Sequence, residues 1–111
     1  MQAYGDGRFR ISGEVVSGAV VVWPDGWKAW PIADVTAIAA DDLALLGDLA
    51  GTIDILLIGC GPKFGQEPPG LRAAARAAGM ALEWMDTGAA CRTYNVLIGE
   101  GRRVAAALVA V

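Results

Sequence analysis

Histidine is absent from this chain, and cysteine occurs only twice, at Cys60 and Cys91. Without histidine, the sequence lacks the usual general base of nucleophilic catalysis and the commonest metal ligand of proteins. Two cysteines are too few for a disulfide framework, and a reducing cytoplasm keeps such residues as thiols. Histidine-dependent catalysis is therefore excluded, and we expect the chain to use neither a metal ion nor a cofactor.

Positive charge and long apolar segments are also scarce. Nine Lys and Arg residues stand against twelve Asp and Glu residues, which gives a net charge of −3. This balance offers no basic surface to a phosphate backbone, so the sequence predicts no nucleic-acid partner. The longest apolar run, Val104 to Val111, has eight residues, whereas a helix that spans a bilayer needs roughly 20. The run predicts a buried strand and not a transmembrane segment.

The first residues, Met1 to Asp6, show neither the regions of a secretory signal nor the Arg-rich pattern of a transit peptide. We therefore predict a bacterial cytoplasmic protein. The chain has 111 residues, of which 55% are hydrophobic and 19% charged. This composition is typical of a globular protein, and the length allows one core. We expect a single domain over residues 1–111.

The first third of the chain has the short runs that are typical of β-strands. Polar and apolar residues alternate over Arg8–Ile11, and a β-branched run follows at 18–23. Pro24-Asp25-Gly26 then predicts a turn, in which Pro fixes φ and Gly supplies a positive φ. These signals predict an N-terminal β-meander. Further on, Asp41 and Asp42 precede several leucines and predict a short helix.

The second half of the chain alternates the signals of strands and helices. Three apolar runs predict strands, at Ile53–Ile58, at Ala81–Met85 and at 103–111. Helices are predicted between them, over Leu71–Ala78 and from Asp86 or Thr87 to about Ile98. This order predicts an α/β fold whose central sheet contains parallel pairs.

The clearest candidate site lies at one edge of this predicted sheet. In a right-handed βαβ unit, the loops after the two parallel strands meet at the same edge. Glycines there let backbone N–H groups approach a ligand, and a helix start presents further N–H groups to an anion. The candidate ligand-binding residues are Gly59, Cys60, Gly61, Thr87, Arg92 and Asn95. The alternative is structural: the glycines make a tight strand exit, and Arg92 pairs with an acid such as Glu67 or Glu100.

Other side chains also have two interpretations. Cys91 lies early in the second helix, where a thiolate is favoured, and Cys60 is expected near it. Alternatively, both cysteines are small core residues. Asn95 either lines the crevice or anchors a neighbouring loop. The tryptophans around the predicted turn either cover the core or form an exposed aromatic contact surface: Trp23, Trp27 and Trp30.

Four segments, in order along nearly the whole chain, carry a family resemblance: Tyr4–Arg10, Gly59–Gly61, Thr87–Leu97 and Glu100–Val104. They resemble the family of mitochondrial complex I assembly factor 3, which also contains small bacterial and archaeal proteins of unknown function. The resemblance implies a three-layer β/β/α fold around a mixed, largely parallel central sheet. It also implies protein partners, because mitochondrial members bind other assembly factors and subunits at the inner membrane.

Two departures limit this resemblance. We expect no mitochondrial presequence, and Cys60 stands where family members often have Thr. The family supplies no agreed catalytic residues, so we assign none.

The sequence leaves two candidate functions for the chain. The first is a non-enzymatic interaction or assembly factor for a membrane or respiratory complex, cytoplasmic and peripheral to the inner membrane, with subunits or assembly factors as partners. The second is a binder of small molecules or anions, or a modest enzyme, that uses the crevice between the Gly59–Pro62 loop and the helix start near Thr87. The resemblance and the missing base favour the first.

Overall fold

The computed structural model describes residues 3–11, 13–30, 52–63, 66–67 and 69–110. The short helix predicted after Asp41 and Asp42 lies outside these residues. The described residues form eight strands and two helices, and the strands belong to two sheets.

The elements of the second half follow the order that the sequence predicts, whereas the strand at Ala3–Gly5 was not predicted. The N-terminal third forms β1 (Ala3–Gly5), β2 (Arg8–Ile11), β3 (Glu14–Ser17), β4 (Val20–Trp23) and β5 (Gly26–Ala29). The remainder forms β6 (Ile55–Gly59), α1 (Leu71–Ala77), β7 (Ala81–Met85), α2 (Thr87–Gly99) and β8 (Val104–Leu108). Of these helices, none is long and apolar enough to cross a membrane.

The central sheet has the strand order β5-β4-β8-β6-β7 and is mixed. Strand β6 pairs in parallel with β7 and β8, whereas β4 is antiparallel to both β8 and β5. The N-terminal strands β1, β2 and β3 form a separate antiparallel sheet. The predicted α/β fold with a mixed central sheet and an N-terminal β-meander is therefore confirmed.

Two hydrophobic clusters lie on opposite faces of the central sheet, because successive side chains of a strand point to opposite faces. Leu56 and Ile58 of β6 belong to the cluster under α1. Leu57, between them, belongs to the cluster under α2. The N-terminal sheet packs into this second cluster through Phe9 and Ile11, which are buried. The sheet thus separates α1 from α2 and the N-terminal strands.

Helix α1 ends one residue before the predicted Ala78, and the structure identifies the residue that caps α2. Leu71 and Ala75 of α1 are buried, whereas Ala78, which follows the last residue of the helix, is exposed. At the start of α2, the side chain of Asp86 accepts a hydrogen bond from the Ala89 amide at 2.8 Å. Asp86 is therefore the residue that caps α2. The hydroxyl of Thr87 does not cap the helix.

The turn between β4 and β5 joins two paired strands, as predicted, but Gly26 has a different role there. Its φ is not positive, so the expectation that it supplies a left-handed conformation is wrong. Gly26 instead pairs with Trp23 across the hairpin. A Cβ at Gly26 would lie 3.4 Å from Cζ2 of the Trp23 ring, so the missing side chain lets the indole lie close to the backbone.

Candidate functional site

The loop after β6 and the start of α2 lie side by side at one edge of the central sheet. Gly59 and Met85 are register partners at the ends of the parallel strands β6 and β7. The Cys60 amide donates to the Met85 carbonyl at 2.8 Å, and the Thr87 amide donates to the Gly61 carbonyl at 2.9 Å. Backbone hydrogen bonds therefore join the two segments that the sequence places at the crevice.

Thr87 is the centre of a buried polar network between these segments. Its side chain is 0% exposed. The Thr87 hydroxyl donates to the Val109 carbonyl at 2.7 Å and accepts from the Gly61 amide at 3.0 Å. Both roles of the hydroxyl are thus filled within the chain, as is usual for a buried polar group. Thr87 connects the ends of β6 and β8 to the first turn of α2.

Gly59 is required by the close approach of Thr87. A Cβ at Gly59 would lie 2.8 Å from the Thr87 Cα, and 3.0 Å from both Thr87 Oγ1 and Leu108 Cδ2. The nearest of these atoms is backbone and cannot rotate away. Glycine at this position therefore lets the strand end pack directly against the helix start.

Four of the amides that the sequence offers to an anion already have acceptors within the chain. The Cys60 amide donates to the Met85 carbonyl, and the Gly61 amide donates to the Thr87 hydroxyl. The Thr87 amide donates to the Gly61 carbonyl, and the Ala89 amide donates to the Asp86 carboxylate. The structure thus brings together four of the six predicted ligand-binding residues: Gly59, Cys60, Gly61 and Thr87. They are joined by hydrogen bonds to one another and to neighbouring residues of the chain. Their role in ligand binding stays a prediction.

Arg92 lies on the exposed side of α2. Its Nη1 donates to the hydroxyl of Tyr4 at 3.2 Å, and this contact links the N-terminal sheet to the helix. Arg92 does not form the ion pair that the sequence suggested with Glu67, since Glu67 instead pairs with Arg72 at 2.8 Å. Gly88 lies beneath this contact, because a Cβ there would be 3.1 Å from the Tyr4 hydroxyl.

Asn95 is exposed one turn further along α2 and lines a different surface. It contributes to a cavity between α2 and the turn from β4 to β5. Of the tryptophans near that turn, Trp30 is buried in the core, while Trp23 and Trp27 are half-buried. Trp23 packs against the cluster on the α1 face and Trp27 against the cluster on the α2 face. The tryptophans thus cover the core on both sides of the sheet.

The two cysteines are buried thiols in separate hydrophobic clusters. Cys60 belongs to the cluster on the α1 face, and Cys91 to the cluster on the α2 face. Burial raises the pKa of the Cys91 thiol to about 11 and outweighs the opposing effect of the Arg92 charge. The expected stabilisation of a thiolate early in the helix is therefore wrong. Within the described part of the chain, no three Cys, Asp or Glu side chains are placed to share a metal ion.

Two residues that complete this region, Val109 and Tyr4, were not predicted from the sequence. Val109 contributes only its backbone carbonyl to the network, and its position depends on β8 pairing beside β6. Tyr4 comes from the other end of the chain and from the other sheet. Neither contact has a signal in local sequence spacing, because each depends on the order in which distant strands pack.

The chain matches one protein-family model over residues 1–109: a protein of unknown function (DUF498/DUF598). The chain belongs to this family. An uncharacterised protein from Rhodobacter capsulatus is 42% identical over 97% of this chain and 82% of its own length. The family's relatives also include NADH dehydrogenase [ubiquinone] 1 alpha subcomplex assembly factor 3. The Xenopus tropicalis and Homo sapiens proteins of that name are 33% and 31% identical, each over 98% of this chain.

The chain spans 60% and 59% of the length of these two assembly factors. Among solved structures, a protein named as an outer membrane protein from Bartonella henselae has a TM-score of 0.89 and 34% identity. That match covers 99% of this chain and 92% of the other. A Mth938-like domain from Bordetella pertussis has a TM-score of 0.83 and 31% identity, over 97% of this chain and 83% of its own. These two solved structures therefore share the fold described above.

Proposed function

We propose that this chain is a non-enzymatic interaction protein that helps to assemble or maintain a respiratory complex at a membrane. Its partners are subunits of that complex or other assembly factors, and its place is the cytoplasmic periphery of the inner membrane. The observation that carries the proposal is the similarity to the assembly factors, which extends over 98% of the chain.

The geometry at the sheet edge supports this function over an enzymatic one. An enzyme needs donors or bases that are free to contact a substrate. Here the hydroxyl of Thr87 and the amide of Gly61 bond to each other, and the hydroxyl also donates to Val109. Cys91 is buried, and its raised pKa keeps it a thiol near neutral pH. The Thr87 hydroxyl, the Gly61 amide and the Cys91 thiol are therefore part of the packing.

Purification of the tagged chain from native membranes tests this function. The tagged gene replaces the natural copy, so that the chain is present at its natural level, and contacts are fixed by a short cross-linker before solubilisation. We expect subunits or assembly factors of the NADH dehydrogenase complex to be enriched over a tagged acidic control domain of the same size. If quantitative mass spectrometry recovers no respiratory-complex protein above that control, the proposed function is wrong.

A further inference from the structure

A cavity of about 250 Å³ lies between the turn that joins β4 to β5 and the C-terminal half of α2. Its wall includes Trp23 and Asp25 from the turn, and Tyr94, Asn95 and Ile98 from the helix. Pockets for drug-sized ligands usually measure ~300–1,000 Å³. This cavity is therefore suited to a single side chain and not to a nucleotide or a large cofactor.

Tyr94 brings an unpartnered polar group to this cavity. The residue is 3% exposed, and its hydroxyl has no hydrogen bond to any residue that the structure describes. Burial alone raises the pKa of Tyr94 to about 12, so the phenol is neutral near pH 7. Among the described residues, the buried side-chain polar atom that lacks a partner is Trp30 Nε1, so the Tyr94 hydroxyl, which also lacks a partner, is open to the cavity and its solvent. An occupant of the cavity with a hydrogen-bond donor would provide that partner.

The other groups in the wall favour a positive charge. Asp25 is exposed and forms no ion pair with any described residue. Asn95 offers an amide oxygen as a further acceptor. The last turn of α2 carries no basic side chain, and a helix C-terminus has a partial negative charge. The aromatic ring of Tyr94 adds a further attraction, because the face of such a ring attracts cations.

Two arginines line a neighbouring cleft that shares part of its wall with this cavity. Arg102 and Arg103 line a separate cleft with Trp23 and Asp25. Arg103 is held by Asp54 through two hydrogen bonds, at 2.6 and 2.9 Å. Arg102 is exposed, and its repulsion is screened by solvent. Among the described residues, the wall of the cavity itself has a carboxylate, an amide and a phenol and no cation.

We propose that this cavity binds a cationic side chain, arginine or lysine, of the protein partner. The Asp25 carboxylate pairs with the cation, the Asn95 amide oxygen and the Tyr94 hydroxyl accept its N–H groups, and Ile98 contacts its apolar stem. This assignment rests on the proposed function, which supplies the partner. It adds the surface that the partner contacts and the kind of residue that the partner must present.

A titration of the ¹⁵N-labelled chain with N-acetyl-arginine amide tests this assignment. We expect saturable shifts of the Gly26 and Asn95 amide signals, with a dissociation constant in the millimolar range that is usual for one exposed contact. N-acetyl-citrulline amide has the same shape without the charge and should bind about five-fold more weakly, as expected from loss of one partly exposed ion pair.

Variants locate the site and control for general charge effects. Asp25→Asn should weaken binding by about five-fold, and Tyr94→Phe should weaken it about two-fold while the domain stays folded. Asp6→Asn is the matched control, because Asp6 is an exposed turn carboxylate on the N-terminal sheet; it should leave binding unchanged. Equal shifts with the citrulline derivative, no saturation, or unchanged binding by Asp25→Asn would each overturn the assignment.

The membrane purification separates this assignment from the proposed function. If the natural chain recovers respiratory-complex proteins and the Asp25→Asn chain recovers far less, the cavity is the contact. If both chains recover the same amount, the cavity is not used, and the proposed function stands. If the natural chain recovers none, the proposed function fails, whatever the small probes do.

Discussion

Gly59→Ala, at the last residue of β6, is expected to destabilise the domain strongly. The new Cβ would lie 2.8 Å from the Thr87 Cα, so either β6 or α2 must move, and the Thr87 network must open. Overpacking of this kind costs roughly 3 kcal/mol. In a domain of this size, such a loss lowers the melting temperature by about 12 °C or more. Thermal unfolding followed by circular dichroism measures the change.

Gly99→Ala is the matched control for this prediction. A Cβ at Gly99 meets no atom within 4 Å, and neither Gly99 nor Gly59 has a positive φ. Alanine at Gly99 should therefore leave the stability unchanged or raise it by up to about 1 kcal/mol. Equal melting temperatures for Gly59→Ala and the natural chain would contradict the close approach of strand end and helix start.

Thr87→Val is expected to lower the free energy of unfolding by about 2–4 kcal/mol. Valine has nearly the same shape but no hydroxyl, so the Val109 carbonyl and the Gly61 amide lose their partner inside the protein. Each buried polar group that is left unsatisfied costs about 1–3 kcal/mol. Urea unfolding of the variant and the natural chain gives the difference.

Two further variants show whether the hydroxyl is responsible. Thr87→Ser keeps the hydroxyl and loses one methyl group, so it should cost only about 1 kcal/mol. Thr93→Val makes the same chemical change at a half-buried position of the same helix and should stay within about 0.5 kcal/mol of the natural chain. A loss at Thr87→Ser as large as that at Thr87→Val would contradict the role of the hydroxyl.

Local patterns were sufficient to predict most elements of the fold. The apolar run at Ala81–Met85 forms β7 with the predicted bounds. The polar residues before α2 marked its start, although the sequence left open whether Asp86 or Thr87 is the cap. Both residues can accept a hydrogen bond from the helix start. The structure assigns this role to Asp86, because Thr87 faces the sheet.

Local sequence patterns could not predict the order of the strands in the central sheet. Strand β8 lies between β6 and β4, and pairing of distant strands depends on packing of the whole domain. That order brings the Val109 carbonyl to Thr87. The sequence could therefore place Gly59, Gly61 and Thr87 together, but it could not show that their polar groups are satisfied by each other and by Val109.

The position of Asn95 was predicted less well for a related reason. Residues on one helix face different neighbours according to their angle around its axis. Thr87 is buried against the sheet, Arg92 contacts Tyr4, and Asn95 lines the cavity beside the turn from β4 to β5. Only the packing of α2 against two sheets separates these three surfaces.

Deletion of the gene, followed by native-gel measurement of assembled NADH dehydrogenase complex in the membrane, tests most directly whether the chain is a non-enzymatic assembly protein. We expect deletion to lower the amount of assembled complex. A folded chain with Cys60→Ala, Cys91→Ala and Arg92→Ala should restore it as the natural chain does, because no chemistry of these groups is needed. Normal assembly after deletion, or rescue by the natural chain but not by the folded triple variant, would contradict this function.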